Sequence, residues 1–183
     1  RLTLGVIVIT DGLTIDGPDA LGQRVLITGD ANGDDTTTDG ITDLVASAAN
    51  LSDNSRIFHA PSFAPRTPLT LDSLTLTGGV GSGVGSANGG AVSSAGDVTV
   101  INSTISGNST NSYGGGFDAY TATVTGSTIS GNSSDGDGGG IFTVETATVT
   151  NSTISGNSSG ISGGGLFATT VKITNSTITG NTA

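Results

Sequence analysis

A seven-residue phrase that returns at a near-constant interval constrains this chain more than any other feature. Residues 102–108 read NSTISGN, and the phrase recurs at 126–132 (GSTISGN), 151–157 (NSTISGN) and 175–181 (NSTITGN), at steps of 24, 25 and 24 residues. A glycine triplet at 114–116 returns at 138–140 and 163–165, with an earlier version, Gly89-Gly90-Ala91, ahead of the first phrase. Five residues always separate the Asn that closes a phrase from the next triplet. A fixed period in this range marks a solenoid, in which each repeat is too small to bury its own apolar face and must stack on its neighbours.

Aligned on that period, the columns acquire physical meaning. Apolar columns read Ile105, Ile129, Ile154, Ile178; Val100, Val124, Val149, Ile173; Val98, Ala122, Ala147, Val171; and Val92, Phe117, Ile141, Leu166. Between them Thr104, Thr128, Thr153, Thr177 and Ser106, Ser130, Ser155, Thr179 alternate with the apolar positions, as outward residues of a strand do. About three short strands per coil are expected, stacked ~4.8 Å apart. The pattern predicts an all-β fold, a parallel β-helix of 24–25 residues per coil. A leucine-rich repeat shares the period but needs a Leu-rich consensus that is absent. Helical repeats are excluded by the Gly, Thr and Ser content. The glycines are expected at sharp corners or positive-φ positions. The column Asn108, Asn132, Asn157, Asn181 is expected at a bend where Asn tolerates the left-handed region. Its amides would bond from coil to coil, a structural ladder and not a binding site.

Residues 1–88 read as less regular coils of the same solenoid and residues 89–183 as its regular part, one continuous domain. Residues 69–79 (LTLDSLTLTGG) align with 98–108 (VTVINSTISGN). Strand-like segments fall at 2–4, 6–9, 13–15, 25–27 and 56–58, with loops expected at 29–54 and 59–68. Serine is absent before Ser47 and frequent afterwards, a change of regularity that needs no domain boundary.

Gly, Ser and Thr fill 84 of 183 positions, a composition usual for disordered linkers. The ordered β-branched alternation argues for a folded chain instead. With no cysteine there is no disulfide framework, zinc ribbon or thiol nucleophile. Five Lys plus Arg against fifteen Asp plus Glu leave no basic footprint for nucleic acid. The longest apolar run, residues 6–9, is far short of the ~20 residues of a membrane span.

The segments LTIDGP (13–18), DNSRIF (53–58) and 71–79, with the GGG…NSTISGN array, resemble bacterial surface proteins of the CSLREA or choice-of-anchor type. Those proteins are akin to the polymorphic outer-membrane-protein repeats. The resemblance covers nearly the whole chain. It implies a right-handed parallel β-helix, secretion, and display at the cell surface within a longer chain. It implies no shared catalytic motif. The start at Arg1 and the stop inside a repeat at Ala183 read as an excised portion.

Chemistry-bearing residues are few. A polysaccharide lyase needs a basic residue beside a carboxylate cluster, and a glycosidase needs two carboxylates on one cleft. The regular half holds one basic residue, Lys172, and the acids Asp97, Asp118, Asp135, Asp137 and Glu145; only Asp135 and Asp137 share a loop. His59 with Arg56 and Arg66 is the basic group nearest a cleft. No catalytic residue and no organic cofactor is assigned. In residues 30–40 (DANGDDTTTDG), Asp30, Asn32 and Asp34 alternate as the first ligands of a calcium loop do. The EF-hand pattern then fails at Asp35 and Ile41, so Asp39 or Asp43 would have to supply a late ligand to a structural Ca²⁺. The alternative is a plain acidic turn.

The six sequons of the repeat array, at Asn102, Asn108, Asn132, Asn151, Asn157 and Asn175, follow from the repeat and are not read as glycosylation signals. The five-residue inserts 109–113, 133–137 and 158–162 vary while the coil holds constant, as a presenting edge on a rigid scaffold would. Tyr113, Tyr120, Asp135 and Asp137 are its candidate contacts for a surface glycan or protein ligand. The expected function is a non-enzymatic extracellular stalk, adhesin or fibre. The alternatives are a carbohydrate-binding or carbohydrate-cleaving β-helix and a subunit that stacks end to end into a filament.

Overall fold

The computed structural model describes residues 7–8, 13–16, 25–28, 56–60, 68–81 and 88–183. Its described strands are all parallel and wind through four sheets in turn. The first sheet holds Ile7–Val8, Phe58–Ala60, Val92–Ser94, Phe117–Ala119, Ile141–Thr143 and Leu166–Phe167. The second holds Leu13–Asp16, Leu69–Asp72, Val98–Ile101, Ala122–Thr125, Thr146–Thr150 and Thr170–Thr174. The third holds Val25–Thr28, Leu74–Thr77, Thr104–Ser106, Thr128–Ser130, Thr153–Ser155 and Thr177–Thr179. A fourth, of two-residue strands, holds Val80–Gly81, Ser109–Thr110, Ser133–Ser134 and Ser158–Ser159. Among the described residues, the four coils from Phe58 to Ser159 therefore have four strands each where the alignment suggested three. The extra strand is the start of the five-residue insert, because Thr110, Ser134 and Ser159 turn inward and are buried.

Identical residues stack on identical residues. In the third sheet Ile105 pairs with Ile129, Ile129 with Ile154, and Ile154 with Ile178. Leu76 precedes them at an offset of 29 residues, so the N-terminal coils keep the register across a longer connection. Period-2 alternation places one residue in two inside. Phe58, Leu71, Leu76, Val92, Val100, Ile105, Phe117, Val124, Ile129, Ile141, Val149 and Ile154 have no exposed surface. Removing such side chains from water, at roughly 2 kcal/mol each, is what lets coils rich in Gly and Ser stay ordered.

Two polar ladders run through this apolar core. Asn108, Asn132 and Asn157 are buried, and each backbone N–H and side-chain Nδ2 donates to Oδ1 of the next Asn at 2.9–3.0 Å, ending on Asn181. Each amide also caps an apolar strand: Asn132 Nδ2 donates to the Ile105 carbonyl at 3.0 Å. A serine ladder stands on the other side of the same strands. The N–H groups of Ser103, Ser127 and Ser152 donate to the hydroxyl of the next serine at 3.0–3.1 Å, ending on Ser176.

Three expectations require correction. The left-handed conformation belongs not to the laddered Asn column but to Asn102, Asn151 and Asn175, at φ of 46°, 51° and 47°, with Gly126 taking the same place. These asparagines turn the corner between the second and third sheets. His59 and Ala60 lie in a strand, not in a loop, because Phe58–Ala60 pairs with Val92–Ser94. The glycine triplets are only partly a matter of φ. Gly138 does sit at φ +72°, but a Cβ on Gly139 would lie 2.2 Å from the Gly164 carbonyl oxygen. Coil-to-coil backbone contact, not turn geometry alone, excludes a side chain there.

Candidate functional site

The inserts leave the fourth sheet and cross to the first, where they bend sharply at the positive-φ glycine. This path lays residues 112–113 and 136–137 beside the outer surface of the first sheet. Gly136 N–H donates to the Ser112 carbonyl at 2.7 Å, and the Tyr113 ring passes so close to Gly136 that a Cβ there would meet it at 2.7 Å. Tyr113 stacks on Phe142 at a centroid distance of 5.0 Å, and Phe142 on Phe167 at 5.5 Å with planes 6° apart. Phe142 and Phe167 are register partners on adjacent strands, so the stack follows directly from the pairing. Tyr113 and Phe167 are each 38% exposed, which makes this an aromatic stripe at the surface.

The candidate edge residues separate into two places. Tyr113, Asp135 and Asp137 share the insert edge; Asp135 is exposed, and one Asp137 carboxylate oxygen is buried without a hydrogen-bond partner. Tyr120 stands elsewhere, at the corner from the first sheet to the second, where its hydroxyl donates to Glu145 Oε1 at 2.9 Å. The calcium candidates Asp30, Asn32, Asp34 and Asp39 lie outside the described residues. Among the described residues no cluster of three His, Cys, Asp or Glu side chains would hold a metal. None of their helices is long and apolar enough to cross a membrane.

The structure also brings together a group that column-by-column reading missed. The outward column of the first sheet runs His59, Ser93, Asp118, Phe142 and Phe167 down the axis. Its upper part is not solvated. Arg56, Ser93 and Asp118 are buried. Arg56 Nε donates to the Gly89 carbonyl at 3.0 Å, and Arg56 Nη1 lies 3.2 Å from His59 Nδ1. Asn88 Nδ2 reaches Asp118 Oδ2 at 3.4 Å, and the Ser112 hydroxyl donates to Asn88 Oδ1 at 2.7 Å. Asp118 Oδ1 has no partner and rests over Gly89, where a Cβ would sit 2.8 Å away.

Burial pushes the Asp118 carboxyl up to about 7, against the lowering effect of Ser93, the Arg56 charge and Asn88. Burial also lowers His59, with the Arg56 charge adding to it. Arg56 is lowered by burial, and Asp118 opposes that shift. A carboxyl near 7 is suited to proton transfer. Asp118 is only 9% exposed, however, so it is largely withdrawn from the surface. The signal that would have found the cluster was available: at that outward position the other two sheets carry mostly Thr and Ser, and the first sheet does not.

Residues 40–183 match a family model described as the right-handed beta helix region. No curated protein and no solved structure matches the chain.

Proposed function

The chain belongs to the right-handed beta helix family, and on that premise we propose that it is an extracellular structural or adhesive repeat protein that displays a ligand-contacting edge and performs no catalysis. The observation that carries this reading is the division of labour along each coil. The core columns and both ladders repeat nearly unchanged, while the inserts at 109–113, 133–137 and 158–162 change at each coil and lie beside an exposed aromatic stripe. A rigid solenoid that varies only where it meets solvent is built to present contacts. Cell-surface location, and the finer placement among CSLREA or choice-of-anchor proteins, is supported by the likeness of LTIDGP, DNSRIF and the NSTISGN array to such proteins.

A carbohydrate ligand is favoured by the stripe of Tyr113, Phe142 and Phe167, since aromatic surface beside carboxylates and hydroxyls suits neutral sugars. Cleavage is disfavoured by the burial of Asp118. A glycan array together with a reducing-end assay tests both parts. Binding lost in Tyr113→Ala without turnover supports display, and turnover of any polysaccharide defeats it.

A second reading is a subunit that stacks end to end into a filament, its end strands pairing in register with those of a second copy. Sedimentation that stays monomeric over a wide concentration range removes the filament reading. A structural calcium at Asp30, Asn32, Asp34 and Asp39 predicts a lower melting temperature in EDTA, restored by Ca²⁺ and not by Mg²⁺. An unchanged melt eliminates it.

A further inference from the structure

From Thr75 to Thr179, every outward position of the third sheet carries a hydroxyl. The pairs are Thr75 and Thr77, Thr104 and Ser106, Thr128 and Ser130, Thr153 and Ser155, and Thr177 and Thr179. The register is unbroken through these five strands, so the pairs form two straight columns. No charged and no aromatic side chain interrupts them. The other large sheets differ: the second carries Asp72, Ile101 and Lys172 outward, and the first carries His59, Phe142 and Phe167. Among the described residues, Thr128, Ser130, Thr153 and Ser155 hydrogen-bond no other residue through their hydroxyls, which are left for solvent.

A second observation singles out the same sheet. Both polar ladders flank it: from Thr104–Ser106 onward a serine stands immediately before each strand and an asparagine two residues after it, and at the first strand the N–H groups of Leu74 and Gly79 donate to Ser103 and Asn108. Each strand is thus pinned to its neighbours at both ends by buried hydrogen bonds as well as along its length. A sheet free to twist would fan its outer residues apart, and side-chain ladders are a recognised means of keeping stacked strands flat. Of the four sheets it is the one with a side-chain ladder at both ends.

The resulting pattern is a regular grid with repeats of about 4.8 Å across the strands and ~6.7 Å along them. Over five strands the columns extend ~19 Å, four times the strand spacing. Such a grid encloses no pocket for a small ligand, and without charge it has no hold on an ionic one. A surface of this kind recognises another periodic surface. The oxygen rows on prism planes of hexagonal ice repeat on the same scale, nearer to the spacing across the strands than to that along them. Threonine suits that partner, because its methyl orders the adjoining water while its hydroxyl fixes a water molecule at the lattice point.

Crystalline polysaccharide is a poorer match, because sugar rings dock on aromatic faces, and the aromatic residues of this molecule lie on the first sheet. We propose that the outer face of the third sheet is an ice-binding surface, in which the paired Thr and Ser columns hold an ordered layer of water that merges with the crystal. This goes beyond the display function, engages a different face, and stands or falls separately from it.

Nanolitre osmometry and an ice-recrystallisation assay on the purified protein are the test, with Thr128→Tyr/Thr153→Tyr as the face variant. Thr123→Tyr, on the exposed surface of the second sheet, is the control, and far-UV circular dichroism checks the fold of each. The expected result is faceted ice crystals, a freezing-point hysteresis gap and small ice grains for the native protein and for Thr123→Tyr. The double variant, folded, falls to the level of an inert control protein. Native protein that leaves ice unshaped and recrystallisation unimpeded overturns the proposal, whatever the variants do. Equal activity in a folded double variant also overturns the assignment to this face. Co-sedimentation with crystalline cellulose or chitin that the double variant loses, with no effect on ice, replaces ice with polysaccharide.

Discussion

Replacing Asn132 by alanine tests whether the asparagine ladder holds the coils together or merely fills space between them. The Asn132 side chain is 1% exposed and takes part in four hydrogen bonds. Its Oδ1 accepts from Asn108 N at 3.0 Å and Asn108 Nδ2 at 2.9 Å; its Nδ2 donates to the Ile105 carbonyl and to Asn157 Oδ1, both at 3.0 Å. Truncation does not leave all four partners alike. Asn108 Nδ2 keeps the Leu76 and Ser106 carbonyls, and Asn157 Oδ1 keeps the backbone N–H of residue 132. The Asn108 backbone N–H, in contrast, loses the one acceptor it has among the described residues.

One buried donor left bare costs about 1–3 kcal/mol, and each of the three remaining lost bonds about 0.5–1.5 kcal/mol. The sum is on the order of 5 kcal/mol, a large part of a domain's total stability. Urea denaturation followed by far-UV circular dichroism measures it, with Asn111→Ala on the exposed insert as a control expected to stay within about 0.5 kcal/mol of the native protein. Hydrogen exchange locates the effect, and the amide of residue 108 should lose protection first. A destabilisation below about 1 kcal/mol would show that relaxed backbone or entering water replaces the ladder, and would refute the reasoning.

The corner asparagines give the opposite expectation. Asn151→Gly should leave stability nearly unchanged, because Gly126 already occupies that place, whereas Asn151→Ala should lose about 1 kcal/mol to left-handed strain, both read from the same urea curves. Gly139→Ala should prevent the affected coils from stacking, since its methyl would meet the Gly164 carbonyl oxygen 2.2 Å away; a cooperative melt at the native temperature contradicts this. Asp118 sets a pH dependence. Its folded-state carboxyl sits at about 7 against an ordinary 3.8, so the neutral form favours folding, and stability is lost as the pH rises from about 4 through 7. The limb amounts to on the order of 4 kcal/mol and should vanish in Asp118→Asn. His59, lowered by burial, acts in the opposite sense, its contribution being lost as the pH falls below its ordinary 6.5. Melting temperatures across pH 4–8 for the two proteins separate these effects, and parallel curves would refute the assignment to Asp118.

Much of the fold is legible in the sequence because a solenoid converts sequence period directly into neighbourhood. A residue's contact one coil on is the residue 24 or 25 positions later, so Ile105, Ile129 and Ile154 announce their stack without any coordinates. The hydroxyl columns and the variable inserts are legible for the same reason. Where the period is broken, the reading weakens. The fourth strand was hidden because Ser109–Thr110 has no apolar residue to mark an inward position, and Thr110 is buried through a hydrogen bond of its hydroxyl to the Gly81 carbonyl. The left-handed corner was assigned to the wrong asparagine because Asn serves both a ladder and a turn, and the type of residue does not say which.

The sequence by itself determined the coil length, the inward columns and the family of the fold, since these depend on periodicity and on the need to bury apolar side chains. Only the tertiary structure decided which polar residues are buried, and hence where the chemistry lies. Burial of Asp118 depends on Ser112 of the preceding insert and on Arg56, Asn88 and Gly89, brought from earlier coils by connections of unequal length; the column marks an unusual position but does not carry those contacts. The hydroxyl face shows the same division. Its residues are spelled out in the NSTISGN repeat, but the serine and asparagine ladders that tie its strands together form only once the coils are stacked.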